Sequence, residues 1–593
     1  MTNTAEPVAS SPSPGTADAL VGACDLESFP GEAMQRRIDR GEFDPRGKRV
    51  QVLNPRGTPP PIALRPMAAR PGTMAGRTIY LVDVRFMNGK ALLEEVARVL
   101  EERVPGIRTV VRQKRGGYTE DDPELWREIE EQAGLVVMAI GHCSTCAPAV
   151  AVHCMHLEDR GIPTAPLVTS AFPDLVRAVA RKAGMPGLRF TFVPHPISGK
   201  NAGELRRDVE GASPVSGEAV LEGIVRALTS PLTPEESERG RLERPVPRLL
   251  GASTEEELHG MFQEAWWTDG LPIVLPTPER VAAMLRGTGR APDEVIGRMR
   301  PTQTQEDWAY TVEQVAVNAV MAGALPEHFP VILALAATGI TALHSSTSGF
   351  ASMVVVNGPI RHEIRMNGGL GALGPFNRAN AAIGRAYALL SRNLGGGAVP
   401  GVTYLGTQGN PLNYANICFA ENEERSPWQP FHMQKGFARE RSTVSIFRGR
   451  SYSHLLEIRH ETWRQQLLHM VGGFTPVPGT GLTLLVEPLA ARALKDREGF
   501  ETQRQLATWF HENATVPYET YWDYQLVVNY IEPLARKGLE PFASYLARGP
   551  GSHVPRFADP EKISALVVGG EKNAYWYATD FVLLATVSVD EWR

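Results

Sequence analysis

Leu135-Val136-Val137-Met138-Ala139-Ile140, running directly into Gly141-His142-Cys143-Ser144-Thr145-Cys146, is the stretch whose reading decides the fold. Six apolar residues with no polar alternation need cover on both faces, which is the situation of a central strand in a parallel sheet. Pro148 then suits the first turn of a helix, where its missing N–H is not needed. The stretch therefore reads as a buried strand turning into a helix, with both cysteines at or just before the helix N-terminus.

Working outward, short apolar runs alternate with amphipathic segments from about Arg77 to Ser198, the signature of parallel βαβ units. The strands are expected at Thr78–Val84, Arg108–Arg112, Leu135–Ile140, Thr164–Thr169 and Leu188–Val193. The helices between them are expected at Lys90–Arg103, Pro123–Gln132, Ala147–Arg160 and Ala171–Ala183. This pattern resembles a flavodoxin-like, doubly wound α/β sheet. A closing helix near Gly217–Leu228 and a charged linker, Thr233–Pro245, follow. The domain organisation reads as an N-terminal tail and extension over 1–75, partly disordered and most clearly so at Met1–Leu20, a thiol domain over 76–232, and a larger mixed α/β domain over 246–593.

A chain of 593 residues is too long for one hydrophobic core. With 43% hydrophobic and 21% charged residues it has ordinary globular composition, and its net charge of -5 offers no basic footprint for nucleic acid. No apolar run approaches the roughly 18 to 20 residues that span a bilayer. The N-terminus lacks the basic start and apolar core of a secretory signal. Five cysteines, at 24, 143, 146, 154 and 418, are too few and too odd in number for a disulfide framework. The composition thus suggests a reducing cytoplasm, a small-molecule substrate, and neither a membrane nor a nucleic-acid partner. Homo-oligomerisation is compatible with it.

Ligand sites in open parallel sheets lie beyond the carboxyl ends of the strands. The first strand delivers Asp83 and Arg85 there, the second Arg112, Lys114 and Arg115, the fourth Thr169 and Ser170, and the fifth Pro194-His195-Pro196. The third delivers His142, Cys143 and Cys146. Unpaired N–H groups at a helix start favour an ionised sulfur, and Cys-X-X-Cys spacing lets one thiol resolve the other. Cys143 is thus read as nucleophile, Cys146 as resolving thiol, and His142 or His195 as proton donor. Asp83, Arg85, Arg112, Thr169 and Ser170 are candidate substrate contacts. The basic loop suits either anion recognition or a solvated surface, and the prolines beside His195 suit either a positioned imidazole or a rigid turn. Cys154 reads as core. His153 and His156, at i and i+3, read as solvated on the opposite face of that helix, without a third metal ligand.

Gly-His-Cys-Ser-Thr-Cys after a buried strand, Gly161-Ile162-Pro163-Thr164, and Val193-Pro194-His195-Pro196 together resemble the bacterial proteins named for a selenocysteine-Gly-Ser-Cys motif. They are similar, more distantly, to the selenoprotein B subunit of glycine reductase. The resemblance covers Arg77 to Gly199 and places Cys143 at the selenocysteine position and Cys146 at the cysteine. It implies nucleophilic or reductive sulfur chemistry ending in a disulfide, with an external dithiol reductant of thioredoxin-like type. Sulfur in place of selenium makes a weaker nucleophile at neutral pH, and nothing in the sequence supplies glycine reductase's pyruvoyl partner. Reductive deamination of an amino acid is not carried over.

The second domain resembles C-terminal regions associated with such proteins. Its loops between Asn357 and Asn410 are rich in Gly and Asn, which either bring backbone close to a ligand or build turns. Asn367, Arg378 and Gln408 are the candidate substrate contacts, with Asn377, Glu421, Glu423 and His432 beside them. No glycine spacing there matches a nucleotide fingerprint. His344, His362 and His432 with Glu421 and Glu423 lack a metal-binding helical pair, so no metal is assigned. The leading expectation is a thiol-dependent, reductase-like enzyme that cleaves or forms a carbon–heteroatom bond on a small, anionic substrate. Sulfur transfer through a persulfide or thioester is a second reading, and a zinc-binding or redox-sensing module a third.

Overall fold

The run Leu135–Gly141 forms a strand buried along its whole length in the computed structural model, which describes residues 49–132, 134–300, 306–344, 346–396, 399–455, 461–476 and 481–593. The expected disordered tail, Met1–Leu20, lies outside the described residues. In chain order the first unit runs β1 (Thr78–Asp83), α1 (Gly89–Arg103), β2 (Arg108–Gln113), α2 (Pro123–Glu131), β3 (Leu135–Gly141), α3 (Cys146–Asp159), β4 (Thr164–Thr169), α4 (Pro173–Lys182), β5 (Thr191–Val193), α5 (Ala202–Glu210) and α6 (Val220–Thr229). The sheet order is β2-β1-β3-β4-β5, parallel throughout, so the flavodoxin-like doubly wound sheet is present. Helices α1, α5 and α6 pack together, and α3 packs with α4 against β3 and β4.

Three elements begin later than the sequence reading has them, the closing helix among them at Val220 rather than Gly217. Helix α4 starts at Pro173, where proline occupies the first turn, rather than at Ala171. The edge strand pairs only from Thr191, because the chain before it is occupied elsewhere, with Arg189 held by Glu236 and by the carbonyls of Ser230 and Pro231. The N-terminal extension pairs with the linker and with the start of the larger domain. Val50–Leu53 runs antiparallel to Leu249–Ser253, and Ile62–Leu64 to Gly240–Leu242 within the charged linker.

The rest of the chain is built in four layers. Its first sheet has the order β7 (Ile417–Ala420), β6 (Ala351–Asn357), β8 (Thr443–Gly449), β12 (Val582–Ser588). Its second comprises Tyr452–Leu455, Trp576–Thr579, β9 (Leu482–Val486) and β10 (Ile563–Val567) in that order, so β11 is Trp576–Thr579. Strand alternation decides the layering. Val354, Val356, Val444 and Ile446 meet helices α7 (Val312–Met321), α8 (Phe329–Ala337) and α9 (Arg378–Leu394). Met353, Val355 and Phe447 turn the other way, onto Leu485 and Leu566 of the second sheet. That sheet's opposite face, with Leu484, Val486 and Val567, packs on further helical residues such as Leu467, Leu494 and Phe510.

Candidate active site at the thiol edge of the parallel sheet

Cys143 and Cys146 sit where β3 turns into α3, with Thr145 at the helix N-cap position. Gly141 is required there, because a Cβ on it would lie 2.9 Å from Ala147 Cα and 3.0 Å from Val168 Cγ2. The Cys143 Sγ accepts a hydrogen bond from the Cys146 N–H at 3.1 Å. The Cys146 Sγ accepts from the N–H groups of His142 and Cys143 at 3.1 and 2.9 Å. Both thiols are free. Burial opposes ionisation of Cys143, but hydrogen bonds from the Cys146 thiol and from the backbone N–H groups of Cys146 and Thr145 outweigh it and hold Cys143 below the ordinary thiol range. Complete burial, and then the adjacent Cys143 sulfur, push Cys146 well above it. Cys143 is half-buried and Cys146 fully so. The outer thiol thus ionises first, and the inner one holds its proton.

The two imidazoles meet at this edge. The His142 ring stacks between Phe86 and His195, with centroids 4.7 and 4.5 Å away. Burial, then the nearby His195 and Lys200, push His142 down to about 4, so it is neutral at pH 7. Its Nε2 accepts from the Ile197 N–H at 3.1 Å and has no proton to give. The His142 Nε2 is thus engaged by the loop backbone, and His195 is the exposed imidazole of the pair. Burial and Lys200 also lower His195. Its Nδ1 lies 3.0 Å from Thr169 Oγ1, which is 3.3 Å from the carbonyl of Gly141. With the Thr169 proton on Gly141 O, Nδ1–H donates to Thr169 and the lone pair is on Nε2.

The remaining candidates of the first unit divide. Thr169 joins the site through His195, and Ser170 ends β4 beside it with its N–H on the Val193 carbonyl. Asp83 is buried at the end of β1, where burial raises it to about 6. Its oxygens accept from the Arg85 N–H and Gln113 Nε2, both at 2.9 Å, so it fastens the turn. Arg85 adopts a left-handed φ of 74°, and its guanidinium makes no hydrogen bond or ion pair among the described residues. Arg112 points away from the thiols to Glu128, at 2.9 Å. Lys114 Nζ is buried on the carbonyls of Arg115, Gly117 and Glu120, and Arg115 pairs with Asp122 and Glu124. In the basic loop, read as suited to anion recognition or to a solvated surface, Arg112, Lys114 and Arg115 are all engaged by other protein groups.

The larger domain reaches this edge through a loop that the sequence reading did not single out. Ser144 Oγ accepts from the Thr347 N–H at 3.2 Å, across 203 residues of chain. The Thr347 carbonyl takes the Thr407 N–H at 3.1 Å, which places exposed Gln408 on the neighbouring loop. Three residues from Thr347, at most about 11 Å of chain, His344 faces Arg448 and Arg450, and burial and then these cations push it down to about 3. Arg450 lies 4.3 Å over the Phe350 ring and 3.6 Å from Asp580. Arg448 makes no ion pair among the described residues, and its Nε is buried without a hydrogen-bond partner.

Asn367 and Arg378 do not join the site. Asn367 closes its own turn, accepting from the Gly369 N–H and donating to the Leu370 carbonyl. Arg378 donates to the Gly323 carbonyl, and Asn377 caps α9. The residues of the unassigned metal set scatter. His362 pairs with Glu424 at the surface, while Glu421 and Glu423 converge on Asn357, with Arg361 3.0 Å from Glu423 and His432 3.8 Å from it. Burial raises Glu421 to about 7. Cys154 is fully buried, and burial pushes its thiol up; Cys418 is likewise pushed up to about 12. His153, read as solvated, is buried.

A flavodoxin-like parallel sheet presenting two unequal thiols and two imidazoles at its carboxyl edge defines an α/β protein with a thiol-bearing sheet edge. Residues 51–222 match the family model of the UGSC family, a segment that takes in the resemblance read over Arg77–Gly199 and adds the later part of the N-terminal extension, from residue 51, and the chain through α5 to the first residues of α6. No curated protein matches the chain. No helix among the described residues is long and apolar enough to cross a membrane.

Proposed function

We propose that the chain is a thiol-dependent enzyme of reductase type, acting in a reducing cytoplasm on a small anionic substrate held between its two units. The observation that carries this reading is the inequality of the paired thiols, Cys143 lowered and half-buried, Cys146 raised and enclosed. A nucleophile and a resolving thiol need that order. His195 Nε2, which carries the lone pair, takes the Cys143 proton; the thiolate displaces X⁻ from R–X to give a Cys143 thioether, and His195 returns that proton to X⁻. Cys146, once deprotonated, attacks the Cys143 sulfur and releases R⁻, which takes a proton, so R must carry an electron-withdrawing neighbour. The sum is R–X plus two thiols to R–H, H–X and a disulfide, which an external dithiol of thioredoxin-like type reduces. Arg448, beside His344 and without an ion pair among the described residues, supports an anionic substrate.

Iodoacetate and iodoacetamide differ mainly in charge, so their alkylation rates at Cys143 test both halves of this reading. Cys143 is expected to react with either, with iodoacetate favoured beyond its intrinsic reactivity and the advantage lost in Arg448→Met. Equal relative rates in both proteins would remove the anionic substrate, and an unreactive Cys143 would remove the thiol enzyme. Intact mass after turnover separates a disulfide, two hydrogens lighter, from a persulfide, one sulfur heavier.

A further inference from the structure

Helix α3 carries a second cluster that the thiol chemistry does not use. His153 and His156 lie one turn apart on the helix. The loop ahead of α2 brings Asp121 to them, and a donor atom from each of the three lies within 4.8 Å of those of the other two. His153 is only 4% exposed. Its Nε2 is 2.8 Å from the Tyr118 carbonyl. A carbonyl only accepts, so Nε2 carries the proton and Nδ1 the lone pair. That Nδ1 is buried with no hydrogen-bond partner among the described residues, a condition that calls for a bound group. Asp121 gives Oδ1 to Trp126 Nε1, which leaves its other oxygen free for a cation.

We propose that His153 Nδ1, His156 and Asp121 form a mononuclear site for a divalent transition-metal ion of the zinc type. Two imidazoles and a carboxylate suit that ion, and a backbone carbonyl behind the ring is the usual way a ligating histidine is oriented. Zinc–ligand bonds of about 2.0–2.1 Å set tetrahedral donors roughly 3.4 Å apart. The exposed His156 and Asp121 side chains are the ones that close that gap. The nearby Lys114 ammonium is turned onto three carbonyls, so it is already engaged. Three protein ligands leave a fourth position open to solvent, where water or an anion binds. Seven residues of helix, about 10 Å, separate His153 from Cys146, so the ion does not touch the thiols. It fastens to α3 the loop 114–122, which meets the C-terminal region through Tyr118 with Tyr530 and Glu120 with Lys537.

Because Cys143 and Cys146 would themselves bind zinc, the test uses the full-length chain with both changed to serine, and as a second background wild-type protein alkylated at Cys143. Calorimetric titration with zinc is expected to show one equivalent bound. Adding His156→Ala should weaken binding on the order of 100-fold or more, since losing only an outer partner of a ligand costs about 10- to 100-fold. Asp121→Asn, which keeps the acceptor for Trp126, should also weaken it, and zinc should raise the melting temperature of the parent but of neither variant. Zinc uptake unchanged by both substitutions, or no uptake by either background with zinc in excess, would overturn the site.

Discussion

Replacing Glu158 by glutamine is expected to loosen the helix that carries Cys146. Glu158 and Arg70 side chains are both 0% exposed and joined at 2.7 and 2.9 Å. The same carboxylate accepts the Ala68 N–H, the Thr164 N–H and the Thr164 hydroxyl, each at 2.7 Å. Both oxygens face only donors, so whichever way a glutamine amide is turned, its NH2 opposes at least two of them. The Arg70 charge is also left buried without a counter-charge, and breaking such a pair from one side costs about 3–5 kcal/mol. The assay is urea denaturation followed by circular dichroism on wild type, Glu158→Gln, Arg70→Met and the double variant Arg70→Met/Glu158→Met. The double variant should lose less than the sum of the singles, because no unpaired charge remains. A loss under about 1 kcal/mol in Glu158→Gln, or strict additivity, would refute the reasoning and detach the N-terminal extension from the fold.

Gly141→Ala places a methyl against the Ala147 backbone and Val168, and should destabilise by about 1–3 kcal/mol while slowing Cys143 alkylation; an unchanged melting temperature and rate would contradict the turn geometry. Folded Glu421 keeps its proton up to about 7, above the ordinary carboxylate value, so stability falls as pH rises through that window, by about 3 kcal/mol at most. Glu421→Gln should therefore be more stable than wild type at pH 8 and lose that advantage by pH 5, measured by denaturation at both.

The β3 run and the period of the segments around it made the parallel sheet legible, because a buried strand and an amphipathic helix each leave a local pattern. Helix α3 shows where that logic stops. It is covered nearly all round, by the sheet, by α4 and by the loop holding Tyr118, so His153 is buried where a two-faced wheel leaves it solvated. The thiol edge was readable from the position of each strand's end. The fates of Arg112 and Lys114 were not, since Glu128 and three loop carbonyls claim them through tertiary approach. Equally invisible were the Ser144–Thr347 bond, which exists only once the larger domain meets the sheet edge, and Arg448, whose Nε has no hydrogen-bond partner among the described residues.

The central claim is that Cys143 is the ionised nucleophile of the pair, and the pH dependence of its alkylation by iodoacetamide, followed by peptide mass mapping, tests it most directly. The account expects a midpoint below the ordinary thiol value of about 8.5, with Cys146, Cys154 and Cys418 labelled only after denaturation. A Cys143 midpoint at or above that value, or Cys146 labelled first in the folded protein, would contradict it.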